Sequence, residues 1–498
     1  MTRTKRAAEV SAENVCPFAP EHTLVDSRLK QPTLIIASFG AIMTVIDGTI
    51  LTVALRAIRD DLGFSSASIV WIVNAYLLCY AGFRLLSGRL CDLFGTRKVF
   101  LIGTMLFTSA STICALAHTQ TLLVVARALQ GVGGAAITAA ALSLTVTLID
   151  EQAGRAKAIS FLGFAASSGG VIGLMLGGFL TQVLNWRWIF LINLPIGAAI
   201  YVAGVKYLPR AHGRAICGPL DVKGAILMFA LPTVVVYAIG NADETGWYSL
   251  QTLMLMGCAV ILSMIFVKIE ARTHAPIMPP YIFRRPNLIA CVLIALLLAA
   301  AGSAGIITSL YLQLVLGRSP LQVSLILLPS TLIITPLSLG LSSKAVIHLG
   351  VKPPLTMGLL TLALGLILLT QTSVGGNAWA QVIPGTILTG VGGGIAFTPL
   401  TLAAVGPGRA NDSGLVSAIM GTAAIFGSTL GLALLSAVSA ARTAIELNSG
   451  TSVSAALNSG YHVAFLIGSV LASSAAIVGA LLLRLDTTRI AFSEGSAL

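Results

Sequence analysis

Three charged side chains interrupt otherwise apolar stretches of the chain: Asp47, Arg84 and Arg127. A charge at the centre of a bilayer costs about 2.5 to 3.5 kcal/mol on insertion scales, so such residues by default face a cavity or a partner and mark function. Asp47 lies about fourteen residues into the apolar run from Thr33 to Leu55, near its middle and too deep for a short side chain to reach water along a lipid face. Withdrawal from water disfavours a carboxylate's charge. An acid that binds a proton when facing one side and releases it when facing the other is what coupling to a proton gradient requires. A nearby cation acts in the opposite sense. Arg127, near one end of its own run and followed at helical spacing by Gln130, Gly131, Gly134 and Thr138, is therefore the candidate modulator of Asp47. The alternative is a static Asp47–Arg127 pair that only orders the helices. Arg84, a turn from the end of its run, is expected to act as a snorkelling anchor in preference to a site residue.

The elements that must position these groups follow from composition. The 498 residues are 56% hydrophobic and 10% charged, with a mean hydropathy of +0.93, whereas soluble domains carry about 25% charged residues. A bilayer core about 30 Å thick needs about 20 apolar residues of helix, because backbone polar groups in lipid must be satisfied within the segment. Fourteen such windows occur, the first at 33–55 and the last at 463–483. The predicted fold class is all-α: a polytopic membrane protein with fourteen transmembrane helices, two six-helix bundles and two central inserted helices. The expected order is a cytoplasmic segment over 1–32, a first bundle over 33–205, two central helices with cytoplasmic linkers over 206–287, a second bundle over 288–483 and a cytoplasmic tail over 484–498. The first thirty residues lack the apolar core of a signal peptide, so the first helix is expected to be retained.

A formal net charge of +12 would suit a nucleic-acid partner, but the placement of the charges says otherwise. On these windows the termini and the even-numbered loops hold 23 of the 30 Lys and Arg, and the odd-numbered loops hold 5. By the positive-inside rule both termini are cytoplasmic, and the basic balance is a topology signal for a multi-pass protein of the cytoplasmic membrane. The seven cysteines show no metal-ligand spacing, and neither a disulfide nor a metal site is expected. Phosphate-loop, GxSxG and HExxH signatures are absent, which speaks against an enzyme and against transport driven by the chain's own ATP hydrolysis. The two halves look related: Gly95 and Gly350 each close a short loop just before a basic residue and a new apolar run. Internal duplication with a site between the repeats is a common transporter plan.

Four stretches carry a family resemblance: DGTILTVALRAIRDDLG (Asp47 to Gly63), GRLCDLFGTRK (Gly88 to Lys98), RALQGVGGAA (Arg127 to Ala136) and NWRWIFLINLPIG (Asn185 to Gly197). Together with LGRSPLQVSLILLP (Leu316 to Pro329), they make the chain resemble the fourteen-helix drug:proton antiporters of the major facilitator superfamily, over nearly its whole length. The resemblance implies proton-driven export of amphipathic compounds, of the kind behind multidrug efflux and antibiotic resistance. It also implies that the Gly88–Lys98 loop, with Gly88, Arg89, Asp92, Gly95, Arg97 and Lys98, is a cytoplasmic latch between inward-open and outward-open states. The bland reading of its basic residues is topology alone. Leu93 and Thr96 stand where the family usually has basic residues, and Leu174 stands where its antiporter motif has proline.

Gly169, Gly173 and Gly177 recur every four residues and, widened by Gly178, form a helix face suited to close packing. Trp186, Arg187 and Trp188 are expected as interface anchors. Trp71, Asn74, Gln130, Tyr311, Gln313 and Thr398 are the candidate wall of a substrate cavity. A mostly apolar and aromatic wall with few polar groups favours amphipathic organic molecules. The expected partners are that small molecule, protons and the lipid bilayer; the protein is expected to be a monomer with no cofactor, no metal and no nucleic-acid partner. A uniporter or importer of the same fold, or a non-transporting membrane sensor, are the alternative functions.

Overall fold

The computed structural model describes residues 27–65, 68–147, 152–209, 221–246, 248–273, 278, 280–285, 287–405 and 413–483. Residues 1–26 and 484–498, most of the two expected cytoplasmic terminal segments, lie outside the described residues, as do Cys16 and Cys217. All the described secondary structure is helical. Twelve helices are long and apolar enough to cross a membrane, and two further apolar helices are shorter, Ser168–Val183 and Pro320–Ile334.

The first part of the chain folds as α1 (Ser27–Ile50), α2 (Leu55–Leu62), α3 (Trp71–Phe94), α4 (Thr96–Ala115), α5 (Gln120–Thr147), α6 (Gln152–Val183), the single turn α7 (Trp188–Leu191) and α8 (Asn193–Tyr207). Within it α5 packs on α1, α3 and α4, while α1 also packs on α6 and α8. Two further helices follow, α9 (Val222–Thr245) and α10 (Leu250–Glu270). The later part comprises α11 (Leu288–Gly302), α12 (Ala304–Leu314), α13 (Pro320–Pro336), α14 (Ser342–Leu349), α15 (Lys352–Leu369), the turn α16 (Ala378–Gln381), α17 (Ile383–Val405), α18 (Ser413–Asn448) and α19 (Val453–Leu482). Here α15 packs on α17 and α19, and α18 on α11 and α19. The two parts meet where α6 lies on α13 and α3 lies on α18; α9 leans on both α3 and α18.

Local chemistry sets the breaks. Pro336 ends α13 in a five-residue π-helix, Leu337–Leu341, because the missing N–H disrupts the helical ladder. Ser319 opens α13 with a reciprocal capping box to Gln322. The expected loop between Gly88 and Lys98 is instead helix on both sides of one residue: α3 runs to Phe94, Gly95 turns at φ +89°, and α4 begins at Thr96. Gly350, at φ +77°, plays the same part between α14 and α15, so the repeat seen in sequence is a pair of glycine joints where a side chain would strain the backbone. A second expectation is corrected likewise. The stretch Val438–His462, which lies between the last two apolar windows of the sequence and is expected from that to be an external loop, is helical in α18 and α19 except for the four residues 449–452, its five alanines favouring helix.

Candidate functional site

Asp47 is wholly buried. The apolar span containing it runs from Leu29 to Val53, so Asp47 lies in its last third, not its middle as expected, since the helix takes in residues before Thr33. Its Oδ2 accepts from Arg127 Nη1 at 2.5 Å, and its Oδ1 accepts from Gln130 Nε2 at 2.7 Å and Asn193 Nδ2 at 3.0 Å. Arg127, 1% exposed, is held in turn: Nε donates to Ile72 O at 3.1 Å, Nη1 also donates to Gln130 Oε1 at 2.7 Å, and the guanidinium carbon lies 4.4 Å from the Tyr76 ring centroid. Ser111 ties the far side, accepting from Gln130 and Asn193 and donating to Phe190 O at 2.9 Å. Five helices therefore meet at one ion pair: α1, α3, α4, α5 and α8. Two ions this far from water each lose several kcal/mol of hydration, a loss offset only when their remaining donors and acceptors are bonded. Here most are.

In the sequence, Asn193 is one of several polar residues of NWRWIFLINLPIG, and the motif alone does not say whether it bends the helix or presents a polar edge. Its helical position, five residues after Trp188, is the signal that sets it inward. The same motif corrects the anchor reading for Trp186, which is buried. Trp186 Nε1 and Arg187 Nη1 both donate to Asp61 Oδ2, at 3.0 and 2.8 Å. Trp188 is exposed as expected of an anchor.

The six candidate cavity residues are dispersed. Gln130 belongs to the Asp47 cluster. Trp71 sits against Tyr237 of α9, with ring centroids 6.2 Å apart. Asn74 is wholly buried, and neither its Oδ1 nor its Nδ2 has a hydrogen-bond partner among the described residues. Tyr311 donates to Ser373 O at 3.1 Å, and Thr398 donates to Ser338 O at 2.5 Å. Gln313 joins a clasp that the sequence did not reveal. Its Nε2 donates to Thr52 O at 3.4 Å, Ser309 Oγ donates to the same carbonyl at 2.9 Å, and Arg56 Nη1 donates to Gln313 O. The 3-10 turn Leu51–Val53 follows the last turn of α1 and presents that carbonyl to α12. Nearby, Ser324 Oγ donates to Leu174 O at 2.7 Å and Gln182 Oε1 accepts from Leu321 N at 3.2 Å, joining α6 to α13. The clasp and the α6–α13 bonds lie toward the end of the bundle that is expected, from the charge distribution of the sequence, to be external.

At the opposite end, Gly88, Arg89 and Asp92 lie in the last two turns of α3, and Arg97 Nη2 donates to Val205 O at 2.6 Å near the end of α8. Lys98 follows in α4, exposed. Arg84 rests its guanidinium against Gly421 of α18. The glycine stripe divides its labour. A Cβ at Gly169 would lie 3.2 Å from Ile42 O, one at Gly173 2.8 Å from Ile46 O and one at Gly177 2.5 Å from Ile50 O, all on α1, whereas Gly178 faces Pro320 O and Ser324 on α13. So α6 is a thin wedge between α1 and the second half, which only glycine permits at these points.

A polytopic helical bundle in two packed parts, with an ion pair buried inside one of them, has the architecture of a membrane transporter. The profile of the Major Facilitator Superfamily matches residues 37–432, and the chain belongs to that family. Puromycin resistance protein pur8 of Streptomyces alboniger is 32% identical over 449 residues, covering 88% of each chain. Cephamycin export protein CmcT of Amycolatopsis lactamdurans is 34% identical over 427 residues, covering 82% of this chain and 85% of that one. Among solved structures, an auto-inhibited POT family peptide transporter superposes with a TM-score of 0.67 at 16% identity, over 92% of this chain and 98% of the other, a likeness of fold alone.

Proposed function

We propose that the protein exports amphipathic organic compounds across the cytoplasmic membrane in exchange for protons, by alternating access between bundles at 33–205 and 288–483, with the pair over 206–287 inserted between them. Counting the two shorter apolar helices with the twelve longer ones makes fourteen spans, with both termini cytoplasmic. Relatives named for antibiotic resistance and export support the direction and the substrate class.

The observation that carries the proton reading is the geometry of Asp47. Among the described residues every hydrogen-bond partner of its carboxylate is an N–H donor, so proton uptake requires that Arg127 first withdraw. The means is in the 3-10 turn that continues the same helix. Thr52, five residues on, is the acceptor of the clasp to α12, so opening the external face releases the end of α1 that bears the acid. Arg127 then rests on Ile72 O and the Tyr76 ring while Asp47 is protonated; closure returns the guanidinium and expels the proton inward. The unbonded amide of Asn74, on the helix that supplies Ile72 O, is the polar group most in need of a water or a substrate atom. Gly95 serves as the joint of the cytoplasmic latch.

A second reading is favoured by how fully the pair is enclosed: a structural bolt that never opens. The test is a susceptibility panel in cells expressing the wild type or Asp47→Asn, with substrate-driven proton movement recorded in proteoliposomes. Wild type should raise tolerance to at least one lipophilic compound and move protons, and Asp47→Asn should do neither. Efflux that persists after the pH gradient is collapsed, or uphill pumping by Asp47→Asn, would refute the coupling.

A further inference from the structure

A cavity of about 240 Å³ opens on the external side, between α2, α12, α18 and α19 and away from Asp47. It lies just below the range of about 300 to 1,000 Å³ usual for whole drug-sized ligands, so it suits a head group with part of its apolar body. Its wall is of two kinds. Ile307 and Leu310 give an apolar floor, and Arg59, Ser436, Ser439 and Tyr461 give polar atoms. The neighbouring arginines are neutralised: Arg56 by Asp60 at 3.6 Å, Arg187 by Asp61 at 2.8 Å and Arg442 by Glu446 at 2.5 Å. Arg59 has no carboxylate within 4.0 Å among the described residues, although Asp60 and Asp61 follow it directly in sequence. Ser436, 7% exposed, has a buried Oγ with no hydrogen-bond partner among the described residues, and Ser439 and Tyr461 line the cavity beside it. Buried polar atoms are normally bonded, so an unbonded Ser436 hydroxyl in a wall that also holds an Arg59 guanidinium with no carboxylate partner suits a polar, anionic guest.

We propose that this cavity binds an amphiphilic anion: a carboxylate, sulfonate or phosphate on Arg59 and the hydroxyls, with its apolar part on α12. Two sources offer that chemistry, a soluble amphiphile leaving by the external face and an anionic lipid of the outer leaflet. The site stands apart from the proton reading, because its occupancy is an equilibrium that needs no gradient.

The test uses the full chain in phosphatidylcholine nanodiscs at uniform pH. Binding of anilinonaphthalene sulfonate and of its uncharged parent, phenylnaphthylamine, is measured above empty nanodiscs. Arg59→Gln should weaken the sulfonate about tenfold, the scale of one charge-assisted hydrogen bond, and leave the parent unchanged. Ala444→Trp, at an exposed position on the cavity wall, should weaken both probes without disturbing the fold. Replacing part of the lipid with phosphatidylglycerol should displace the sulfonate if lipid is the natural occupant and leave it bound if a soluble amphiphile is. The proposal is overturned if the wild type binds no sulfonate above empty discs, or if Arg59→Gln binds it as well as wild type does or weakens both probes alike.

Discussion

The chain before residue 206 and the chain after residue 287 bury different chemistry. The first encloses Asp47 and Arg127 with Gln130 and Asn193. The second buries Ser303, Thr308, Ser309, Gln313, Ser324 and Thr429 and, among its described residues, no Asp, Glu, Lys or Arg. Hydroxyls and ions make different demands. Thr308 and Thr429 bond back to carbonyls four residues earlier on their own helices, so they need no fixed partner elsewhere. An ion needs a shell drawn from several helices, and the first half supplies one from five. The first half is thus the locked part. The second keeps polar atoms on a cavity wall, Ser436, Ser439 and Tyr461 among them.

The comparison is broken most directly at the ion pair. Arg127→Met alone leaves Asp47 buried without its cation, and the loss expected for removing one partner is about 3 to 5 kcal/mol. Asp47→Leu combined with Arg127→Met replaces both ions with apolar groups, which is often neutral or stabilising. Thermal unfolding of the detergent-solubilised proteins should therefore rank the double variant well above Arg127→Met. Transport separates the two meanings of the pair. The double variant should be folded and inactive if Asp47 carries the proton, and a stable double variant that still pumps uphill would reduce the pair to a bolt.

A smaller and symmetric effect is expected where the halves are alike. In the first, a Cβ at Gly177 would lie 2.5 Å from Ile50 O; in the second, a Cβ at Gly431 would lie 2.5 Å from Ala300 O. Gly177→Val and Gly431→Val should each lower stability by about 1 to 3 kcal/mol, the usual consequence of overpacking. Similar drops in unfolding temperature would show that the halves differ in buried charge and not in packing density. A drop confined to one of them would mean that their cores are unequal as well.

How much of this the sequence discloses depends on range. Asp47, Arg127 and the stripe of Gly169, Gly173 and Gly177 stand out because an isolated charge or a four-residue repeat departs from its immediate surroundings, and helical periodicity then orients it. Gly95 and Gly350 stand out as repeated punctuation. The external clasp does not, since Thr52, Ser309 and Gln313 are ordinary polar residues whose meaning lies in a contact 257 or 261 positions away. Asn193 lies between these cases: an amide five residues past an aromatic anchor is visible, but its aim at Asp47 is settled only by how α8 packs on α1. The cavity wall fails for the same reason, because α12 alone turns Gln313 toward the Thr52 carbonyl and Tyr311 toward the Ser373 carbonyl.

The smallest expected effect belongs to the rim. Asp61 is 44% exposed on its side chain and its partner Arg187 is 27% exposed, so solvent screens the pair to the scale of about 0 to 1 kcal/mol typical of surface bridges. The hydrogen bond from Arg187, and after it that from Trp186, holds the Asp61 carboxyl below its ordinary range. A carboxylate whose folded value is depressed contributes stability above its unfolded value, about 3.9, and loses it as pH falls through the folded one. The unfolding temperature of wild type should thus exceed that of Asp61→Asn slightly at pH near 6, and the gap should close as the pH drops below about 4. A gap that stays the same across this range would mean that Trp186 and Arg187 are held by packing and not by the Asp61 charge, and the contrast between a locked interior and a screened rim in the first half would have to be redrawn.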